Sequence, residues 1–218
     1  MIGNLKAFSL ALVSMLALGA VVAASASAQF EAESVPVRAT RSANTTQAFT
    51  YNTGDGITVQ CTTVGGSGEQ TVTPSTDFRF NPTYTGCTVP AINGKAEVNM
   101  TGCGYTFTSA AKATSMTTHI VCPEGKSIDI TIFDSFGSHL CTLNVGPQTP
   151  AGTITGSNLG SGTTREVKIA SNLSGIVGTR TGSSFCGPAT SITGCYKGEV
   201  TTTGENPTTN AHIGIFLD

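Results

Sequence analysis

The sequence predicts an all-β protein, an antiparallel β-sandwich of the immunoglobulin-like or jelly-roll-like kind that is stapled by disulfides. Three observations favour this class. After residue 28 the chain holds 12 Ile and 12 Val against only 5 Leu, and such stiff, branched side chains favour pleated strands over helices. Apolar and polar residues alternate along most of the chain. Turn residues separate these segments at roughly the 8 to 12 residue spacing of sandwiches.

The first 28 residues have the features of a secretory signal peptide. Lys6 supplies a positive charge, Ala7–Ala24 is apolar, and Ala26-Ser27-Ala28 has the small-x-small pattern of a cleavage site. A membrane anchor is the alternative, because the apolar stretch is long enough to span a bilayer. Its Ala-rich composition and the lack of charges after it favour cleavage before Gln29. We therefore expect residues 29–218 to be secreted, without stable membrane insertion.

The alternating segments define the predicted strands in chain order. Strict alternation is typical of strands that bury one face in an antiparallel sheet. The predicted inward-facing sets are Val35, Val37 and Ala39; Ile57, Val59 and Cys61; Phe78 and Phe80; Ala96, Val98 and Met100; Cys103, Tyr105 and Phe107; Thr118, Ile120 and Cys122; Ile128, Ile130 and Ile132; Cys141, Leu143 and Val145; Val167 and Ile169; and Ile213, Ile215 and Leu217.

Clusters of Gly, Asn and Asp between these segments predict turns, because Gly and Asn accept a positive φ. Such clusters lie at residues 52–56, 65–68 and 156–162. Ser109–Ala113 could form a helical turn or a loop. Residues 108–114 are also where the chain would divide if it formed two small sandwiches. One domain over residues 29–218 is the default.

Composition argues against a nucleic-acid-binding protein and against a disordered chain. The 218 − 28 = 190 residues after the leader carry 10 Lys and Arg against 13 Asp and Glu, a net charge of about −3. This mildly acidic chain lacks the basic patch of a nucleic-acid-binding protein. Leu, Ile, Val and Phe make up 38 of the 190 residues, close to the roughly 20 % below which chains tend to be disordered. The low net charge nevertheless favours a folded chain.

All seven cysteines lie after the leader. Exported proteins meet oxidising conditions, so we expect disulfides, and an odd count leaves one thiol over. Six cysteines allow fifteen pairings, among which the residues alone do not choose. A bridge between Cys61 and Cys87 would close a loop of about 26 residues, which the chain-entropy argument values at roughly 3.5 kcal/mol.

Cysteine and histidine could form a metal site. His119, Cys122, His139 and Cys141 lie close enough in sequence to offer two sulfur and two nitrogen ligands to zinc. Residues three apart on a strand point to opposite faces, however, so His119 and Cys122 would not converge. Thiols of an exported protein also tend to pair with one another. The sequence therefore predicts no metal and no cofactor.

Catalytic residues are not predicted either. Asp134, Ser135 and His139 contain the residue types of a hydrolase triad, but a cluster this local seldom has triad geometry, and no Gly-x-Ser-x-Gly elbow occurs. His212 lies on the face of the last strand opposite to Ile213, which predicts a surface position. Asn52 and Asp55 could contribute to a calcium site, although a turn explains them better. The chain is predicted not to be an enzyme.

Aromatic residues do not predict a sugar-binding platform. The chain has no Trp, and Tyr105 belongs to an inward-facing set. The other tyrosines are Tyr51, Tyr84 and Tyr196.

Short motifs around the cysteines carry a resemblance. They are Tyr84-Thr85-Gly86-Cys87, Gly102-Cys103-Gly104-Tyr105-Thr106-Phe107, Cys122-Pro123-Glu124-Gly125, Cys141 with Pro147-Gln148, and Cys186 with Tyr196-Lys197-Gly198. The pattern resembles a group of uncharacterised secreted proteins from soil actinobacteria. The resemblance implies export, a disulfide-stapled β fold and no assigned activity. It implies that Cys195 is the odd thiol, whereas the residues alone also allow a short Cys186–Cys195 bridge.

The predicted function is that of an exported, non-catalytic structural or adhesive protein. We expect an extracellular or cell-wall partner, with self-association through strand edges or Cys195. An alternative is a ligand-binding or protease-inhibitor-like module that presents a loop such as residues 147–150 or 183–188. A hydrolase with an unrecognised site ranks third.

Overall fold

The computed structural model describes residues 29–51, 56–109, 115–186 and 191–218 and confirms the all-β prediction. The predicted signal peptide and residues 110–114 of the candidate boundary lie outside the described residues. The strands are β1 Phe30–Ala32, β2 Val37–Ala43, β3 Gln47–Tyr51, β4 Ile57–Gln70, β5 Asp77–Val89, β6 Gly94–Asn99, β7 Gly104–Ser109, β8 Ser115–Val121, β9 Ile128–Phe133, β10 His139–Val145, β11 Ala151–Leu159, β12 Glu166–Gly182, β13 Ile192–Glu205, β14 His212–Ile213 and β15 Ile215–Leu217. Short 3-10 helices span Pro90–Ile92, Gly162–Thr164 and Ser184–Cys186.

The large sheet closes on itself. Four long strands, β4, β5, β12 and β13, form its frame through the antiparallel pairs β4–β5 and β12–β13. At the first end, β2 bridges β13 to β4, and β7, β8 and β11 connect β5 back to β12. At the second end, β3 connects β13 to β4, and β6, β9 and β10 connect β5 back to β12. The sandwich therefore encloses its core on all sides.

The buried apolar side chains of the described residues form a single cluster inside this sheet. Most of the predicted inward-facing sets are buried, as the alternating pattern requires. Val35 is an error, because its side chain is 38 % exposed and β2 begins only at Val37. Pro36 between them lacks an N–H for a ladder hydrogen bond, which explains the later start.

Glycines predicted to form turns instead lie within strands. Residues 65–68 belong to β4, and Gly156 belongs to β11. A Cβ atom at Gly66 would lie 2.1 Å from the Asn81 carbonyl oxygen of the neighbouring strand, and Gly66 has a φ of +111°. Here glycine permits a close approach between β4 and β5.

Strands β1, β3, β11 and β13 were not predicted from the sequence. The inward row of β13 includes Gly194, Tyr196, Gly198 and Thr202, so it has few aliphatic side chains to reveal a period of two. Pairing with β12 and β2 places it in the sheet regardless. Tertiary contacts thus override weak local preference.

The two ends of the described chain meet in a small separate sheet. β1 pairs antiparallel with β15, and the backbone N–H of Gln29 donates to the Asp218 carbonyl oxygen at 3.0 Å. Cleavage before Gln29 would leave this pairing intact.

Candidate functional site

A cavity of about 40 Å³ lies inside the closed sheet, between its two ends. We call it the Arg41 cavity. An enclosed water molecule needs about 10–15 Å³ by the same measure, so the space holds roughly three waters. Its walls are mainly aliphatic and aromatic. Its polar lining includes Arg41, Thr118, Ser171 and the four tyrosines of the chain.

Arg41 points inward because it follows Val37 and Ala39 at two-residue steps along β2. Its guanidinium carbon lies 4.0 Å from the ring centroid of Phe80 and 4.5 Å from that of Phe107. Both distances fit cation–π contacts. Its Nε donates a hydrogen bond to Thr202 Oγ1 at 3.1 Å. The guanidinium is therefore held from three sides.

The charge of Arg41 has no counter-charge among the described residues. None of their ion pairs includes it, and its Nη2 is buried without a hydrogen-bond partner. Burial lowers the pKa of the guanidinium to about 10, so it remains a cation at neutral pH. Burying an unpaired charge is costly, so this guanidinium is a candidate binding group.

Thr118 supplies a second unsatisfied group to the same cavity. It lies on β8 with only 3 % of its surface exposed, and its Oγ1 has no hydrogen-bond partner. Thr118 belongs to a predicted inward-facing set, but the alternating pattern assigns no role to its hydroxyl. A buried hydroxyl without a partner typically costs about 1–3 kcal/mol.

Three of the four tyrosines make side-chain hydrogen bonds beside Arg41. Tyr84 Oη donates to Tyr105 Oη at 3.2 Å, and Tyr196 Oη donates to Gln47 Oε1. Gln47 is fully buried, and its Nε2 donates to the Thr45 and Glu199 carbonyl oxygens. Desolvation by burial raises the pKa of every tyrosine hydroxyl in the chain. These groups therefore stay protonated and can donate hydrogen bonds.

A second, smaller cavity of about 20 Å³ lies at the first end of the sandwich. We call it the terminal cavity, because residues of β1 and β15 contribute to its lining. Its buried amide is satisfied, since Gln70 Nε2 donates to the Phe30 carbonyl oxygen at 2.9 Å. Thr202, which also lines it, accepts the hydrogen bond from Arg41.

The structure pairs six cysteines and leaves Cys195 as an exposed free thiol. Because Cys186 bonds to Cys141, the short Cys186–Cys195 bridge is not formed. The three disulfides are Cys61–Cys87, Cys103–Cys122 and Cys141–Cys186.

The four side chains considered for zinc do not form a metal site here. Cys122 and Cys141 belong to different disulfides. His119 Nδ1 lies 2.8 Å from Thr149 Oγ1, and His139 Nε2 lies 3.1 Å from Thr142 Oγ1. Within the described ranges, no three or more His, Cys, Asp or Glu side chains are grouped to hold a metal ion.

The residues considered for a triad have structural roles. Asp134 Oδ1 accepts hydrogen bonds from the backbone N–H groups of Phe136 and Ser138, both at 2.8 Å, which shapes the β9–β10 hairpin. His139 packs against the Phe133 ring. His212 is exposed and lies 3.9 Å from Glu166 Oε1. Asn52 and Asp55, considered for calcium, lie outside the described residues.

The two loops considered for protease inhibition are held by different kinds of contact. Residues 147–150 are fastened by Gln148, whose side chain pairs with the backbone N–H and carbonyl of Val177 at 2.7 Å each. Its backbone bridges to Ile120. In the loop over residues 183–188, Cys186 is buried and disulfide-bonded, and the last two residues lie outside the described residues.

Sequence reasoning missed Arg41 as a site residue, although a signal was present. The two-residue period that predicts Val37 and Ala39 to face inward also places Arg41 inward. The alternation within β2 does not reveal which side chains the neighbouring strands place around Arg41.

Comparison with protein families, with curated proteins and with solved structures gave no match. The functional interpretation of the cavity therefore rests on its residues alone. Among the described residues, no helix is long and apolar enough to cross a membrane.

Proposed function

We propose that this chain is an extracellular, non-catalytic binding protein that holds a small anionic ligand in the Arg41 cavity. The observation that carries this proposal is the buried guanidinium, whose Nη2 meets neither a negative charge nor a hydrogen-bond acceptor among the described residues. An anion in the cavity would supply a negative charge and an acceptor atom. Three disulfides support folding in an oxidising environment, and the predicted signal peptide supports export.

Thr118 strengthens this proposal. Native folds leave few buried polar groups unsatisfied, and each exception calls for an explanation. Of the three unsatisfied buried side-chain atoms among the described residues, two, on β2 and β8, line one cavity, and the third, Arg180 Nε, lies outside its lining. A ligand with acceptor atoms would satisfy the two in the cavity.

The lining also supports binding without catalysis. No His, Asp, Glu or Cys contributes to the cavity wall in the described part of the chain. The pKa of each tyrosine is raised and Arg41 stays charged. No lining group is thus suited to general acid–base chemistry near neutral pH.

The test compares Arg41→Met with a matched control, Arg165→Met. Arg165 also lies over an aromatic ring, with its guanidinium carbon 4.4 Å from the Phe216 centroid, but it is not part of the Arg41 cavity. Chloride, nitrate, formate and acetate are titrated by calorimetry at constant ionic strength. We expect at least one anion to bind saturably to the wild-type and Arg165→Met proteins but not to Arg41→Met. Equal binding by all three, or by none, would refute the proposal.

A structural or adhesive role is a second candidate, favoured by two exposed aromatic side chains. Phe136, at the β9–β10 hairpin, is 92 % exposed, and Phe185 is 47 % exposed. The Cys141–Cys186 disulfide ties the segment carrying Phe185 to β10. If these rings contact a cell-wall partner, Phe136→Ser with Phe185→Ser should reduce adsorption to isolated cell walls. Unchanged adsorption would count against this role.

A further inference from the structure

We infer that the ligand of the Arg41 cavity is a monocarboxylate that carries a short apolar body. This inference rests on the proposed function and specifies the class of ligand. It follows from the number of charges in the cavity, the shape of the donor group and the composition of the walls.

The charge count favours a monoanion. Arg41 is the one cationic side chain in the cavity lining that the structure describes. A dianion such as sulfate or hydrogen phosphate would bring a second negative charge with no cation to meet it. Such an uncompensated charge is costly away from water. A ligand with one negative charge leaves the site neutral.

The donor geometry favours a carboxylate. Nε of Arg41 is already used by Thr202, so the edge formed by the two terminal nitrogens is left for a ligand. This planar edge matches the two oxygens of a carboxylate. The hydroxyl of Thr118 can donate a further hydrogen bond within the same cavity.

The walls favour an apolar body. Beyond the polar cluster, the cavity is lined by aliphatic side chains from β9, β11 and β12, among them Ile130, Ile154 and Leu173. Each buried methylene should increase affinity about fourfold, the equivalent of about 0.8 kcal/mol. A cavity of about 40 Å³, with room for roughly three waters, limits this gain to a short chain of roughly two or three carbons.

The experiment titrates a chain-length series into the mature, disulfide-bonded protein at neutral pH. Formate, acetate, propionate, butyrate and hexanoate are compared by calorimetry at constant ionic strength, with propionamide and inorganic phosphate as matched controls. We expect affinity to rise about fourfold per methylene up to propionate and to fall for butyrate and hexanoate. Propionamide and phosphate should bind at least tenfold more weakly than propionate.

Two variants locate the effect within the cavity. Arg41→Lys keeps the charge but loses the planar edge, so we expect propionate affinity to fall about tenfold or more. Thr118→Val removes the hydroxyl at nearly constant volume and should weaken propionate binding severalfold. Near-ultraviolet circular dichroism and thermal unfolding verify that both variants keep the native fold.

The outcomes separate this inference from the proposed function. If anions bind through Arg41 but chain length has no effect, or phosphate binds more tightly than propionate, the carboxylate inference is wrong while the proposed function stands. If none of these anions binds, both are wrong. If propionate binds equally well to the wild-type protein and to Arg41→Lys and Thr118→Val, the ligand lies elsewhere and the inference fails.

Discussion

The Arg41 cavity and the terminal cavity lie inside one closed core, share Ile169 as a wall residue, and differ in how their polar atoms are satisfied. In the terminal cavity, Gln70 donates to a backbone carbonyl and Thr202 accepts from Arg41. In the Arg41 cavity, Arg41 Nη2 and Thr118 Oγ1 have no partner among the described residues. The terminal cavity is thus a gap in the packing where these polar side chains already have hydrogen-bond partners. Unsatisfied polar atoms that line a cavity, more than empty volume, therefore distinguish a binding site.

The largest expected effect concerns the Cys61–Cys87 disulfide. Cys61 is paired across the sheet with Cys87 on one side and with Gln47 on the other. Replacing both cysteines by Ala should lower the free energy of unfolding by roughly 3.5 kcal/mol, because the bond closes a 26-residue separation. Urea denaturation measures this loss. Cys195→Ala is the control and should change stability by less than about 0.5 kcal/mol; equal effects would show that the bond does not stabilise the fold.

The second prediction uses the tyrosines, which line the Arg41 cavity and are absent from the terminal cavity. Burial raises their pKa values above the usual value of about 10, so the folded protein holds more tyrosine protons than the unfolded chain above that pH. The contribution of the tyrosines to the free energy of unfolding should be constant below about pH 10 and fall as pH rises above it. Arg41 opposes this trend, because its lowered pKa means that the unfolded chain binds more protons there.

Absorbance of tyrosinate tests this prediction. The native protein should show none at the pH where the urea-unfolded protein titrates, and its appearance should coincide with loss of the fold. Normal titration of several tyrosines in a fully folded protein would contradict the burial that defines the Arg41 cavity.

The third prediction compares one substitution in each cavity. Arg41→Met removes an uncompensated charge and should stabilise the ligand-free protein by about 1–2 kcal/mol. Gln70→Met removes a satisfied hydrogen bond and should destabilise it by about 1 kcal/mol. Both are measured by urea denaturation at neutral pH and low anion concentration. If the two substitutions change stability in the same direction, the two cavities do not differ as we describe.

The smallest effect is expected far from both cavities. Phe136 is exposed at a hairpin, so Phe136→Ser should change the free energy of unfolding by less than about 0.5 kcal/mol and leave anion binding unchanged. A larger loss of stability would reveal a packing role for this ring that its exposure does not indicate.

Much of the fold could be predicted because alternation is a local property. Ile128, Ile130 and Ile132 reveal an inward face without reference to any other strand, and they are buried as expected. In β13 most of the inward-facing residues are Gly, Tyr and Thr, so the alternation of apolar and polar residues is weak there. The glycines of β4 were mistaken for a turn because the close approach of Asn81 comes from a different strand.

Alternation, composition and the cysteine count are sufficient to predict the all-β class, most inward-facing rows, an odd thiol and the expectation of export. The folded structure is needed to show which cysteines pair, how the sheet closes, and that Arg41 meets two aromatic rings and a threonine but no carboxylate among the described residues. The reason is one of distance along the chain. Alternation depends on residues two positions apart, whereas the partners of Arg41 lie on β5, β7 and β13 and meet it only when the whole sheet has closed.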